Sequence, residues 1–174
     1  MNEELKKIIK KIKGSLILVA VNNSYVLDTV YKNNSITEMY SLDRTKLFNK
    51  DKRIKKGTSV KIRKVKKKFK DSNKLDYMLC DVNGINIDLN RVIYNTYNII
   101  GKKIIFYGIY DEYDVDRIVK KYQRYGCICH KKMYDKEFIL EVDTNKINVK
   151  KGFVHKIGDI FTDIIEGIGN LLIG

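Results

Sequence analysis

The chain has 174 residues, 44% of them hydrophobic, which suits one domain with a proper core and excludes a globally disordered chain. Its formal net charge of +14 points to anionic partners, such as nucleic acid, an anionic membrane surface or an acidic protein. Three cysteines, an odd number, argue against a disulfide framework and for a reducing, cytoplasmic setting. The start of the chain lacks a secretory pattern, and no uncharged apolar run of about 18 residues occurs, so no membrane-spanning segment is expected. The wealth of Lys, Ile, Asn and Tyr, with no proline, also matches AT-rich coding, which accounts for part of the lysine excess.

In chain order, Asn2 to Lys13 carries Leu5, Ile8, Ile9 and Ile12 at helical spacing, and Gly14 ends that helix. Ser15 to Val21 is an unbroken apolar run, the pattern of a central parallel strand buried on both faces. Asn22-Asn23-Ser24 is a turn with helix-capping chemistry, before a short helix from Tyr25 to Lys32. Ile36 to Leu42 reads as a second strand, ending at Asp43. A basic segment follows from Arg44 to Lys74, divided by Gly57, with a half-buried strand expected over Ser59 to Lys66. Leu75 to Val82 is another buried strand, followed by the turn Asn83-Gly84. A helix is expected from Asp88 to Ile100, stopped by Gly101, then a strand from Lys103 to Tyr107, broken by Gly108. Val115 to Tyr125 is a helix closed by Gly126, and Cys127 to Met133 with Glu137 to Val142 form an antiparallel pair. Alternating strands and helices imply right-handed crossovers. The expected fold is therefore α/β, a doubly wound, mostly parallel Rossmann-like sheet with a C-terminal antiparallel hairpin. From Phe153 to Gly174 apolar residues recur every three or four positions, an appended amphipathic helix whose apolar face suits docking on its own domain, on a partner or on a membrane surface. The domain reading is residues 1–150 as the α/β domain and 151–174 as this helix.

Four local patterns make the chain similar to the class I S-adenosylmethionine-dependent methyltransferases over Leu5 to Val142. The first is Ile17-Leu18-Val19-Ala20-Val21-Asn22-Asn23-Ser24, which resembles the first strand and glycine-rich turn of that family. Ala20, Asn22 and Ser24 stand at the glycine positions; all are small, and Asn tolerates left-handed backbone, yet none is glycine. The second is Asp43, where the family holds the cofactor ribose with a carboxylate. The third is Leu75 to Asp81, which resembles a fourth strand opening on an Asp-aromatic pair and placing Asp81 beside the cleft. The fourth, Arg91 to Gly108 with the closing hairpin, concerns fold alone. The resemblance implies S-adenosylmethionine as cofactor, bound by Ala20, Asn22, Ser24, Asp43 and Asp81, with no metal and no catalytic base identified.

Other patterns carry less. In a strand Cys127 and Cys129 share one face and His130 points to the other, which suits core packing better than a tetrahedral site. The acidic run Asp111 to Asp116 suits the start of a helix. No phosphate-binding loop or dinucleotide fingerprint occurs. Two readings stay open. One is a methyltransferase-like enzyme. The other is a pseudoenzyme, a non-catalytic binding module that contacts nucleic acid through the 44–74 basic segment and a protein partner or membrane surface through the C-terminal helix. They differ in whether the cleft at the strand ends is open, or filled by side chains such as Tyr25, Tyr40 or Tyr110.

Overall fold

The structure, a computed structural model, describes residues 3–42, 51–60, 69, 75–84 and 89–144. Asp43, most of the basic segment and the 153–174 helix lie outside the described residues. The elements are α1 (Glu3–Lys10), β1 (Gly14–Val19), α2 (Ser24–Lys32), β2 (Ile36–Leu42), β3 (Ile54–Val60), β4 (Leu75–Asp81), a 3-10 turn (Val82–Gly84), α3 (Leu89–Thr96), β5 (Ile100–Ile109), α4 (Glu112–Arg124), β6 (Ile128–Tyr134) and β7 (Glu137–Asp143). They form one seven-stranded sheet in the order β3-β2-β1-β4-β5-β7-β6. The pairs β1–β2, β1–β4, β2–β3 and β4–β5 are parallel, and β7 runs antiparallel to both β5 and β6. The doubly wound sheet with a reversed closing strand is thus present.

The strand at the centre explains the layers. Residues Leu16 to Val19 are fully buried, with Leu16 and Leu18 in one core and Ile17 and Val19 in the other. The first core is covered by α1 and α2 through Leu5, Ile9, Val26 and Val30. The second is covered by α3 and α4 through Val92, Ile93, Val115 and Tyr122. A two-faced apolar run can be satisfied only by helices on both sides.

The helix ends are tied together by side chains. Asn33 Nδ2 donates to the Ile9 and Ile12 carbonyls at 2.8 and 2.9 Å, which satisfies the end of α1 from the end of α2. Arg53, ion-paired with Asp51 at 2.6 Å, donates to the Tyr31 and Asn33 carbonyls and closes α2 in the same way. At the other helix starts the capping expectation holds. Asn23 accepts from the Tyr25 and Val26 amides, and Asp111 accepts from the Asp114 amide at 2.9 Å.

Several boundaries differ from the sequence reading: α1 ends at Lys10 instead of Lys13, α4 begins at Glu112 instead of Val115 because Asp111 caps it, and three others have a pairing cause. The third strand begins at Ile54, not Ser59, with Gly57 inside it. It is an edge strand whose register to β2 shifts between Met39↔Ile54 and Ser41↔Ser59, and the glycine falls within that irregularity. Helix α3 stops at Thr96 and β5 starts at Ile100, so Gly101 lies in the strand instead of ending the helix. The β4 ladder captures the chain early, because the Leu75 amide already donates to the Ile99 carbonyl at 2.9 Å. Strand β5 also runs through Gly108 to Ile109.

Asn33 is buried and holds two helix-end carbonyls, so Asn33→Ala should cost about 2–3 kcal/mol of stability. Urea unfolding of both proteins would measure it.

Candidate cofactor site at the carboxyl edge of the sheet

Strand order reverses direction at β1. From there the chain moves through α2 to β2 on one side and later to β4 on the other. In an open α/β sheet this places a crevice above the carboxyl ends of β1 and β4. Val19 pairs with Cys80, so the next residues, Ala20 and Asp81, sit side by side at that edge.

Ala20 is fully buried and its φ is +55°, the left-handed region that favours glycine. The sequence reading assigned left-handed tolerance to Asn22, but the structure places that conformation at Ala20. Asn22 is exposed, and its amide donates to the Ala20 carbonyl at 3.3 Å. Ser24 is the exposed first residue of α2. The Ala20 amide donates to the Leu42 carbonyl at 3.2 Å, so the chain before Asp43 ends beside the same turn. The structure therefore sets Ala20 beside Asp81 and ties Asn22 to Ala20, with Ser24 at the start of α2, while Asp43 itself is outside the described residues.

The turn after β4 completes the edge. Gly84 packs against the β1 turn so closely that a Cβ there would lie 2.3 Å from the Ala20 carbonyl oxygen. Asn83 acts as an extra rung on β5, donating to the Ile109 carbonyl at 2.9 Å and accepting from its amide at 2.6 Å. Gly108 is required beneath this clamp. Its φ is +148°, and a Cβ there would sit 2.3 Å from Asn83 Oδ1. Sequence reasoning saw Asn83-Gly84 only as a turn, since nothing local ties Asn83 to a residue 26 positions on.

Asp81 pairs in register with Tyr107 of β5. Burial raises the Asp81 carboxyl above its ordinary range, although the Asn83 amide, the Tyr107 hydroxyl and the Gly84 amide pull the other way. The Tyr107 hydroxyl is itself buried and makes no hydrogen bond of good geometry. Burial and the neighbouring Asp81 push its ionisation well above that of a free tyrosine. The edge thus holds a partly buried carboxyl beside a buried tyrosine hydroxyl.

The three tyrosines named above face solvent or pack against other rings. Tyr25 is 70% exposed. Tyr40 packs edge-on against Phe69 and donates to Glu38, and Tyr110 packs edge-on against Phe138. Burial raises the Cys127 and Cys129 thiols to about 12 and about 11, which makes them poor nucleophiles and ligands. Among the described residues no three His, Cys, Asp or Glu side chains are grouped to hold a metal, and no helix is long and apolar enough to cross a membrane.

A scan of protein-family models and a search of curated proteins each gave no match. Solved structures do match in fold. M. capricolum TrmK, in complex with S-adenosylhomocysteine, aligns with a TM-score of 0.56 at 12% identity, over 84% of this chain and 70% of that one. Precorrin-6y C5,15-methyltransferase from Geobacter metallireducens gives 0.57 at 10% identity, over 82% and 88%. A protein from Lactococcus lactis described as a hemolysin gives 0.59 at 15% identity, over 82% and 84%. Identities this low define the fold alone. The chain has the Rossmann-like fold of class I methyltransferases.

The raised Asp81 carboxyl gives a test with a definite sign. A raised folded-state value means that stability is greatest below the ordinary value of 3.8 and is lost as pH rises through the folded value. Asp81→Asn should therefore be more stable than the native protein at pH 7, and this advantage should vanish in acid. Thermal unfolding across pH would show it.

Proposed function

We propose that the chain binds S-adenosylmethionine above the β1–α2 turn and is a methyltransferase-like protein. The observation that carries this reading is the left-handed backbone at Ala20, a glycine-type turn kept at the strand switch point of a methyltransferase-type sheet. The expected site residues are Ala20, Asn22, Ser24, Asp43 and Asp81. The β1–α2 turn would let backbone approach the methionine part, the Asp43 carboxylate would accept from the ribose hydroxyls, and Asp81 would face the cationic end.

The helix start favours a phosphate-free cofactor. Asn23 Oδ1 already accepts from the Tyr25 and Val26 amides at 3.0 and 3.3 Å, and the Asn23 carbonyl takes the Leu27 amide. A pyrophosphate would need those donors free. S-adenosylmethionine, when bound, supplies a methyl group activated by a sulfonium. The chain's own residues would then act mainly by positioning the acceptor, as in-line displacement allows.

A second reading, a non-catalytic binding module, is supported by the Ala20 methyl and the Gly84 backbone drawn together at the crevice. In that case the basic 44–74 segment would contact nucleic acid, and the 153–174 helix a protein partner or a membrane surface. Calorimetric titration with S-adenosylmethionine and S-adenosylhomocysteine separates the two. The first reading expects affinity on the order of micromolar, near −8 kcal/mol, lost in Asp43→Ala. No heat from folded protein at high ligand concentration would leave the second.

A further inference from the structure

We infer that the groove between α1 and α2 is a contact site for single-stranded nucleic acid. The groove encloses about 610 Å³ and is lined by Lys6 and Lys10 of α1 and by Tyr25, Asp28, Thr29 and Lys32 of α2. Lys6 and Lys10 are one helical turn apart, as are Thr29 and Lys32 with Tyr25 and Asp28, so each helix presents one row to the groove.

The charge balance selects an anion. Three ammonium groups face one carboxylate, Asp28. Lys6 makes only a 3.5 Å exposed contact with Glu3, and no ion pair holds Lys10 or Lys32 among the described residues. The groove is also built rather than incidental. Asn33 at its end is buried and holds both helices through the Ile9 and Ile12 carbonyls, so the lysine rows keep their spacing.

Tyr25 selects the kind of anion. It is 70% exposed at the first turn of α2, although a tyrosine usually buries its ring. An exposed ring beside a lysine row provides a base-stacking platform and a phosphate track, the two parts that sequence-tolerant single-strand binding needs. Tyr25 also follows Ser24 directly, so a strand in the groove would reach the carboxyl edge next to the β1–α2 turn. This inference stands apart from the cofactor reading, because binding in the groove requires no S-adenosylmethionine.

The test uses the full chain and a fluorescein-labelled twelve-residue oligouridylate, with anisotropy read over a range of salt. Lys10→Ala/Lys32→Ala should flatten the slope of log K against log salt by roughly 1.4, since each phosphate contact on a single strand contributes about 0.7. Tyr25→Ala should weaken binding on the order of tenfold. All three side chains are exposed, so circular dichroism should be unchanged. Lys120→Ala/Lys136→Ala, the same charge loss on α4 and the β6–β7 turn, should have less effect. Equal weakening by both lysine pairs would reduce the effect to net charge and overturn the site. Absence of binding at low salt would overturn it too, as would binding to anionic phospholipid vesicles but not to the oligonucleotide. A silent Tyr25→Ala would overturn the stacking role.

Discussion

The geometry of the carboxyl edge is set by a lock at the opposite edge. Asp76 Oδ2 accepts from both the amide and the hydroxyl of Ser15, at 2.8 and 3.0 Å, and the Ser15 hydroxyl accepts from the Asp76 amide at 2.9 Å. Lys102, from β5, pairs with Asp76 Oδ1 at 2.8 Å. Burial alone would raise the Asp76 carboxyl, but these hydrogen bonds and the lysine outweigh it and hold it below its ordinary range. Three strands are thereby fixed in register at one end. A slip of one residue would turn every side chain of β1 to the wrong core and would separate Ala20 from Asp81 at the other end.

With register fixed, the carboxyl edge can hold conformations that would not survive alone. A left-handed alanine costs about 1–2 kcal/mol, and a partly buried carboxylate beside an under-satisfied tyrosine hydroxyl adds to that. The Asn83 clamp on Ile109 and the Gly84 contact on Ala20 over-determine the turn, which is how such strain persists. The cost falls at the switch point, directly after Leu16 to Val19, which are fully buried and regularly paired with both neighbours. Strain held at a strand switch point is the feature on which the proposed cofactor reading rests.

Much of the fold was legible because the core strands are long apolar runs bounded by turn residues. Ile17 to Val19 and Leu79 to Cys80 could only be buried strands, and Asn23 and Asp111 were legible as caps. The errors at the strands involve glycine. Gly57, Gly101 and Gly108 read as breaks, yet each lies within a strand, because pairing partners far along the chain supply the order that local propensity withholds. The site was half legible. The resemblance to a glycine-rich turn named Ala20, Asn22 and Ser24, the strand end named Asp81, and the structure adds that Ala20 and Asp81 stand at one edge. Asn83, Gly84 and Tyr107 were missed because their roles arise from contacts between strands. The roles of Asn33 in closing α1 and of Arg53 in closing α2 were hidden for the same reason.

The central claim is that the turn at Ala20 and the facing Asp81–Gly84 segment form the cofactor site. The most direct test is a set of backbone amide spectra of the isotope-labelled protein during addition of S-adenosylhomocysteine. The account expects saturable shifts concentrated at residues 20–24 and 81–84, with Ser15 and Asp76 at the opposite edge unmoved. Shifts elsewhere in the sheet, or none from folded protein at millimolar ligand, would contradict it.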